Sequence, residues 1–306
     1  MNLLKHFLFI SFLLPFTVHA WQPEKPITAI VGFAPGSGNE IAFRQASNIV
    51  TKNTGVTFVI ENRPGADAVV SQNYMFTAAP DGYTLSVPSH MSLFVTNDIW
   101  QRDLKKFEYN SFVNVLTLGK SPLAVVANST SGVNTPQEFV AALQSHRSIS
   151  VAIGGGAHQM AYEYIMTQVN GDRTSVKMVR YPGPLQAVTA VASDSGVEFG
   201  IMPIAIAKPL IDGGKVKLLG LTAGKQRIIP GINVNAGWVV SLPPGTPADV
   251  VAWYQREFVR AIRSKEYQDW ARDNHIVTVD SELSPAGVNK YAEELRAAFK
   301  NVKVQE

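Results

Sequence analysis

Residues 25–55 read KPITAIVGFAPGSGNEIAFRQASNIVTKNTG, and their three parts point to the architecture. In 25–33, Ile27, Ala29, Val31 and Phe33 alternate with Thr28, Ile30 and Gly32, the pattern of a buried strand. Ala34-Pro35-Gly36-Ser37-Gly38 is a turn. Residues 39–54 have helical spacing, with Ile41, Ala42, Ala46, Ile49 and Val50 assigned to one side and Gly55 as the C-cap. The pattern repeats at once. A strand is predicted over 56–61, a turn at Asn62-Arg63-Pro64-Gly65, a helix over 69–79 closed by Pro80-Asp81-Gly82, and a strand over 83–88. Strands alternating with helices predict an α/β protein with mostly parallel sheets flanked by helices.

A second series starts at 123. Strands are predicted over 123–127, 148–153, 176–180, 197–202 and 216–222. Helices fall at 135–143, with Thr135 as cap and Pro136 at the first position, and at 160–168 and 184–192. The last part is helical, over 249–262, 265–274 and 285–299. Thr246-Pro247 reads as N-cap and first position there, and Pro243-Pro244-Gly245 as a crossing back between two lobes. No internal repeat or low-complexity segment is present.

The first twenty residues read as a secretory signal: Lys5, an apolar run over 7–18, and small residues at Val18 and Ala20 before Trp21. The run is shorter than the ~20 residues a spanning helix needs, and Pro15 interrupts it. Cleavage after Ala20 is expected, with the mature chain in the periplasm. There is no cysteine, so lipid anchoring at a cysteine, disulfides and thiolate metal sites are excluded. With 46% apolar and 17% charged residues, the mature chain is long enough for about two domains with real cores. The formal charge of +3 is dispersed, and no basic stripe suggests nucleic acid.

Two glycine-rich turns carry the candidate chemistry. Each follows a predicted strand and opens a helix: Phe33-Ala34-Pro35-Gly36-Ser37-Gly38-Asn39, and Gly154-Gly155-Gly156-Ala157-His158-Gln159. A helix start offers unpaired N–H groups and the positive end of the dipole, and glycine lets a ligand approach the backbone. Together they make an anion site. Neither turn matches a dinucleotide or P-loop motif. No nucleophile elbow is present, and His90, His146, His158 and His275 lack metal spacing. Glu40, four residues before Arg44, reads as a helix-stabilising acid. Trp253 and Trp238 read as core, though either could line a cleft. The expectation is a binding protein without cofactor or metal, with an exported enzyme on the same scaffold, such as a hydrolase using His158 or Glu40, as the alternative.

The order of the motifs resembles the tripartite tricarboxylate transporter substrate-binding family, the Bug proteins, from about Gln22 to near the C-terminus. The resemblance rests on Lys25-Pro26-Ile27-Thr28 leading to Val31-Gly32-Phe33-Ala34-Pro35-Gly36, on Glu61-Asn62-Arg63-Pro64-Gly65-Ala66, and on Ala79-Pro80-Asp81-Gly82-Tyr83-Thr84-Leu85. Tyr181-x-Gly183, Gly213 with Lys215, and Pro243-Pro244-Gly245-Thr246-Pro247 follow. It implies a two-lobed, type II-like periplasmic binding fold. One lobe would hold 21–122 plus 238–306 and the other 123–237. The two turns would close as a pincer on a ligand carboxylate, with Ser89, His90, Tyr181, Gly183 and Met202 completing the site. It also implies a small carboxylate ligand and membrane transporter subunits as partners, or alternatively a sensor kinase, with the protein a monomer. Three departures stand out. Gln159 replaces a histidine that the family usually carries, apolar residues near Met202 and Pro203 replace an acid, and the stretch from Pro230 to Trp238 is shorter. Loss of the acid makes an amino-acid ligand a poorer expectation.

Overall fold

A computed structural model describes residues 21–193, 195–302 and 304. The signal-peptide reading therefore lies outside the described residues. The chain opens with the expected unit, β1 (Ile27–Val31), α1 (Gly38–Thr54), β2 (Phe58–Asn62), α2 (Val69–Phe76) and β3 (Thr84–Ser86). β1 is the middle strand, parallel to both β2 and β3. It is covered on both faces, and Ile27, Ala29, Ile30 and Val31 are buried completely. That is why it reads as a near-continuous apolar run. α1 buries Ala42, Phe43, Ala46, Ile49 and Val50 and ends at Gly55, which takes the left-handed conformation. Ile41 was assigned to this face but is 43% exposed; at 100° per residue it faces away from the stripe centred on Phe43 and Ala46. A π-helical turn (Ser92–Thr96) and α3 (Asn97–Trp100) follow.

The second series contains α4 (Pro136–Gln144), β5 (Ile149–Ile153), α5 (Gly156–Val169), β6 (Val176–Arg180), α6 (Pro184–Val191), β7 (Phe199–Pro203), α7 (Ile204–Asp212) and β8 (Val216–Leu221). Thr135 forms a full capping box with Glu138 at the start of α4. β5 lies parallel between β6 and β7. The chain closes with α8 (Ala248–Ile262), α9 (Lys265–Asp273) and α10 (Pro285–Phe299). The cap of α8 is Pro247 rather than Thr246, whose hydroxyl donates instead to the Pro243 carbonyl. Trp253 is core, packed against Trp21 and Tyr254.

Two long strands join these parallel trios. β4 (Val113–Asn128) runs sixteen residues, and β9 (Asn235–Leu242) pairs with it antiparallel from Val113↔Leu242 to Pro122↔Asn235. From Leu123 onward β4 pairs instead with β7 and β8. The sheet order β2-β1-β3-β9-β4-β7-β5-β6, with β8 also on β4, is therefore mixed. Its outer trios are parallel, as expected, and its crossing strands are antiparallel. Only 123–127 of β4 was read from sequence, and β9 and α7 not at all. Gly119 and Pro122 in β4, and Pro203 and Pro209 around α7, read as breakers. The register of β4 shifts between Asn114 and Leu116 and again between Thr117 and Gly119, while Pro122 keeps its place opposite Asn235 at the last pair with β9. The chain crosses back at β9, so Pro243-Pro244-Gly245 lies beyond the crossing. Among the described residues no helix is long and apolar enough to cross a membrane.

Candidate functional site

Each parallel trio delivers helices from the carboxyl ends of its strands. β1 leads into α1, β5 into α5, β6 into α6 and β7 into α7. The first residues of all four helices line one cavity of about 170 Å³, set between the two halves of the sheet. Open α/β sheets present their binding crevice at this edge. Each helix start carries roughly half a positive charge and unpaired amides.

The first turn, Phe33 through Asn39, lines the cavity along its whole length. The internal bonding of α1 begins with Ile41 N–H donating to the Ser37 carbonyl, so the amides of Gly38, Asn39 and Glu40 are the donors left over at the helix start. Asn39 anchors the turn by donating from Nδ2 to the Val87 carbonyl at 2.8 Å. Gly38 lies directly on the Trp238 ring: a Cβ there would stand 2.6 Å from Cζ2. Glu40 accepts from Gly36 N–H, Arg44 and Asn62. Burial opposes its charge, but the hydrogen bonds from Arg44, Gly36 and Asn62 outweigh it and hold the carboxyl below the usual carboxylate range. Glu40 is thus a brace for the turn, in keeping with its sequence reading.

The second turn contributes Gly154, Gly155, Gly156, Ala157 and His158 to the same cavity. Gly154 packs on the backbone of Gly183, so the starts of α5 and α6 touch. His158 is buried, and this drops its pKa to about 4. The ring is therefore neutral, and its Nδ1 has no hydrogen-bond partner among the described residues. Ser37 Oγ, across the cavity, is likewise buried without a partner. Ser89 and Gly183 also line the cavity, as expected.

Four expected residues lie elsewhere. His90 is fully buried beneath Gly237, with Nε2 bonded to Thr117 Oγ1 at 3.0 Å and its ring stacked on Phe94. Burial, reinforced by Lys120, lowers its pKa to about 3. Met202 points into a buried apolar cluster with Ala124 and Val191; Pro203, its neighbour, reaches the cavity instead because side chains alternate along a strand. Gln159 and Tyr181 line an adjoining crevice of about 610 Å³ that shares Phe33, Ala34, Asp67 and the glycines of the second turn with the cavity. There Gln159 Oε1 accepts from Arg180 at 2.5 Å.

Asp67 was not anticipated. It lies in the loop between β2 and α2, where Ala66, Asp67 and Ala68 all take positive φ. Its carboxylate bridges the two halves of the molecule: Oδ2 accepts from Thr96 Oγ1 at 2.5 Å, and Oδ1 stands 3.4 Å from Gly156 N–H at the start of α5. Gly156 admits it, since a Cβ there would collide with the carboxylate. Loss of water raises the Asp67 pKa, and the bonds from Thr96, Ser92 and Gly156 only partly offset this. Trp238, Leu185 and Ile206 supply apolar lining. The signal that could have found Asp67, Leu185 and Gln186 at the start of α6, and α7 was position alone, since each lies just after the carboxyl end of a parallel strand.

The family described as the tripartite tricarboxylate transporter family receptor matches residues 42–293. The chain belongs to that family. Among curated relatives, BugT of Bordetella pertussis is 23% identical over 261 residues, covering 79% of this chain and 78% of its own. A Bordetella bronchiseptica protein of the UPF0065 group is 24% identical over 245 residues, 75% of this chain and 70% of its own. The fold matches that of a Rhodopseudomonas palustris protein solved with adipate, at TM-score 0.83 and 20% identity, covering 92% and 96% of the two chains. MatC of the same organism, solved with malate, gives 0.80 at 21% identity, with 92% and 99% covered. The periplasmic binding protein BugD gives 0.79 at 18%, with 93% and 100% covered. The fold of the chain thus matches these solved binding proteins over more than nine-tenths of its length.

Proposed function

We propose that this receptor captures a small organic carboxylate in the periplasm and delivers it to the membrane subunits of a tripartite tricarboxylate-type transporter. The observation that carries this reading is the convergence of four helix N-termini on one cavity that no Lys or Arg among the described residues lines. Backbone amides can hold an anion without a basic side chain. Ser37 Oγ and His158 Nδ1, buried and unpartnered beside them, are the further groups a bound acid or its water would satisfy. Family membership and the titles of the adipate- and malate-bound neighbours support the ligand class.

In this reading residues 21–122 with 238–306 form one lobe and 123–237 the other. They hinge where β4 and β9 cross, at Lys120–Pro122 and Asn235–Gly237. A ligand touching both lobes makes more contacts when they close, and so shifts the population toward the closed form. The signal is removed after Ala20, the mature protein is monomeric, and it binds without turning its ligand over.

The test is thermal unfolding of the mature protein, refolded from denaturant to strip bound solute, against carboxylates, amino acids and sugars. A ligand at a hundred times its Kd stabilises by ~2.7 kcal/mol. For a chain of this size that is a rise of roughly 4–8 °C. A rise confined to carboxylates is expected. A rise with sugars or amino acids and none with carboxylates would refute the reading, as would consumption of the bound compound.

A further inference from the structure

The cavity that we read as a carboxylate site has an uneven lining. Among the described residues that line it, Asp67 is the only acid and there is no Lys or Arg. Of the four helix starts, that of α5 is already faced by the Asp67 carboxylate through Gly156 N–H, and Gly36 N–H is taken by Glu40. Donors remain at Gly38, Asn39 and Glu40 in the first turn of α1 and at Leu185 and Gln186 at the start of α6, while the free Ala157 amide of α5 is next to the one that faces Asp67. That set suits one carboxylate. The rest of the wall is Phe33, Pro35, Leu185, Pro203, Ile206 and Trp238. No cation among the described lining residues is available to a second carboxylate, and one placed at the start of α5 would lie beside Asp67.

We propose that the ligand is a monocarboxylic acid with an apolar or aromatic body, and that Asp67 excludes dicarboxylates. Asp67 occupies the α5 helix start with its carboxyl group, in the place where a dicarboxylate's second group would find its amides. An acid with one carboxylate docks that group at α1 and lays its carbon body against Trp238 and Ile206. The extra carboxylate of a diacid loses its hydration and finds the α5 amide already taken by Asp67, a penalty that a water-excluded site magnifies. This inference rests on the carboxylate reading above but fails separately from it.

The experiment is isothermal titration calorimetry at pH 7.5 on the ligand-stripped mature protein. The probes are pairs matched in carbon skeleton: hexanoate with adipate, benzoate with terephthalate, and butyrate with succinate. The monoacid of the best-binding pair is expected to bind about tenfold tighter or more. Asp67→Asn keeps a hydrogen-bonding side chain of the same shape, and asparagine tolerates positive φ. It is expected to improve diacid affinity relative to the matched monoacid by about tenfold. Asp67→Gly, which fits the same backbone, repeats the comparison if the Asn variant does not fold. A diacid that binds tighter than its monoacid in the parent protein overturns the inference while leaving the carboxylate reading intact. So does a diacid-to-monoacid ratio that neither variant moves. Failure of all six acids to bind removes both.

Discussion

Substituting Gly38 tests whether the first turn of α1 holds the ligand. The Gly38→Ala side chain would stand 2.6 Å from Trp238 Cζ2, where ordinary contact begins at 3.4 Å, a shortfall of 3.4 − 2.6 = 0.8 Å. The indole cannot retreat. It is 4% exposed, and its backbone is paired with Gly119 on β4 and bridged to Ser89. The first turn of α1 must therefore move by most of that 0.8 Å. A charge-assisted N–H···O contact stretched from about 2.9 Å by that much falls outside hydrogen-bond range. Losing one such bond costs about 1.5–3 kcal/mol, or roughly tenfold to a hundredfold in Kd. Overpacking should also lower stability by about 1–3 kcal/mol, although alanine is the better helix former by up to ~1 kcal/mol. The assay is calorimetric titration with the best-binding acid, alongside urea unfolding. In a Trp238→Leu background the clash is relieved, and most of the Gly38→Ala effect should vanish. An affinity within twofold of the parent, or an equal loss in the Trp238→Leu background, would falsify the placement of the carboxylate on α1.

Acid should destabilise the folded protein before the carboxylates do. His158 and His90 are held neutral by burial, with pKa lowered to about 4 and about 3 from 6.5. Because the folded values are depressed, the unfolded chain binds more protons as pH falls below 6.5, and stability declines from there toward 4. His158 alone can account for about 3 kcal/mol across that window. His158→Gln should flatten the Tm–pH slope between pH 6.5 and 4.5, and an unchanged slope would contradict the assignment. At the crossing strand, Lys120 Nζ pairs with Glu282 Oε1 at 2.5 Å, with both side chains largely buried. Glu282→Ala strands that ammonium, with the Tyr291 ring 3.8 Å away, and should cost about 3–5 kcal/mol in urea unfolding. A loss below ~1 kcal/mol would mean that Lys120 reaches water in the variant.

Local chemistry made much of the fold legible. The strand–turn–helix over 25–55 was readable because a doubly covered strand and an amphipathic helix leave period-2 and period-3.6 traces that need no partner to be seen. Gly55 and the Thr135 capping box mark their helix ends for equally local reasons. The glycine turns were readable as cavity wall because helix starts after strands have a fixed polarity. Those signals end where the partner decides. Residues 113–122 and 235–242 are strands because they pair with each other across more than a hundred residues of intervening chain, and Gly119 and Pro122 hide the first of them. Ile41 lies on the side of α1 opposite the stripe centred on Phe43 and Ala46, which a list of apolar residues does not resolve.

The site divides the same way. Sequence alone settled that two glycine-rich helix starts would offer backbone amides, since that property belongs to each segment by itself. Tertiary structure decided what else meets them. It put Asp67 against Gly156, Trp238 under Gly38, and the starts of α6 and α7 around the same cavity, while turning His90 and Met202 into core. These residues are far apart in the chain, and nothing local says that they meet. Their meeting follows from where the two long strands cross, because the cavity's wall comes from both halves of the sheet that those strands join.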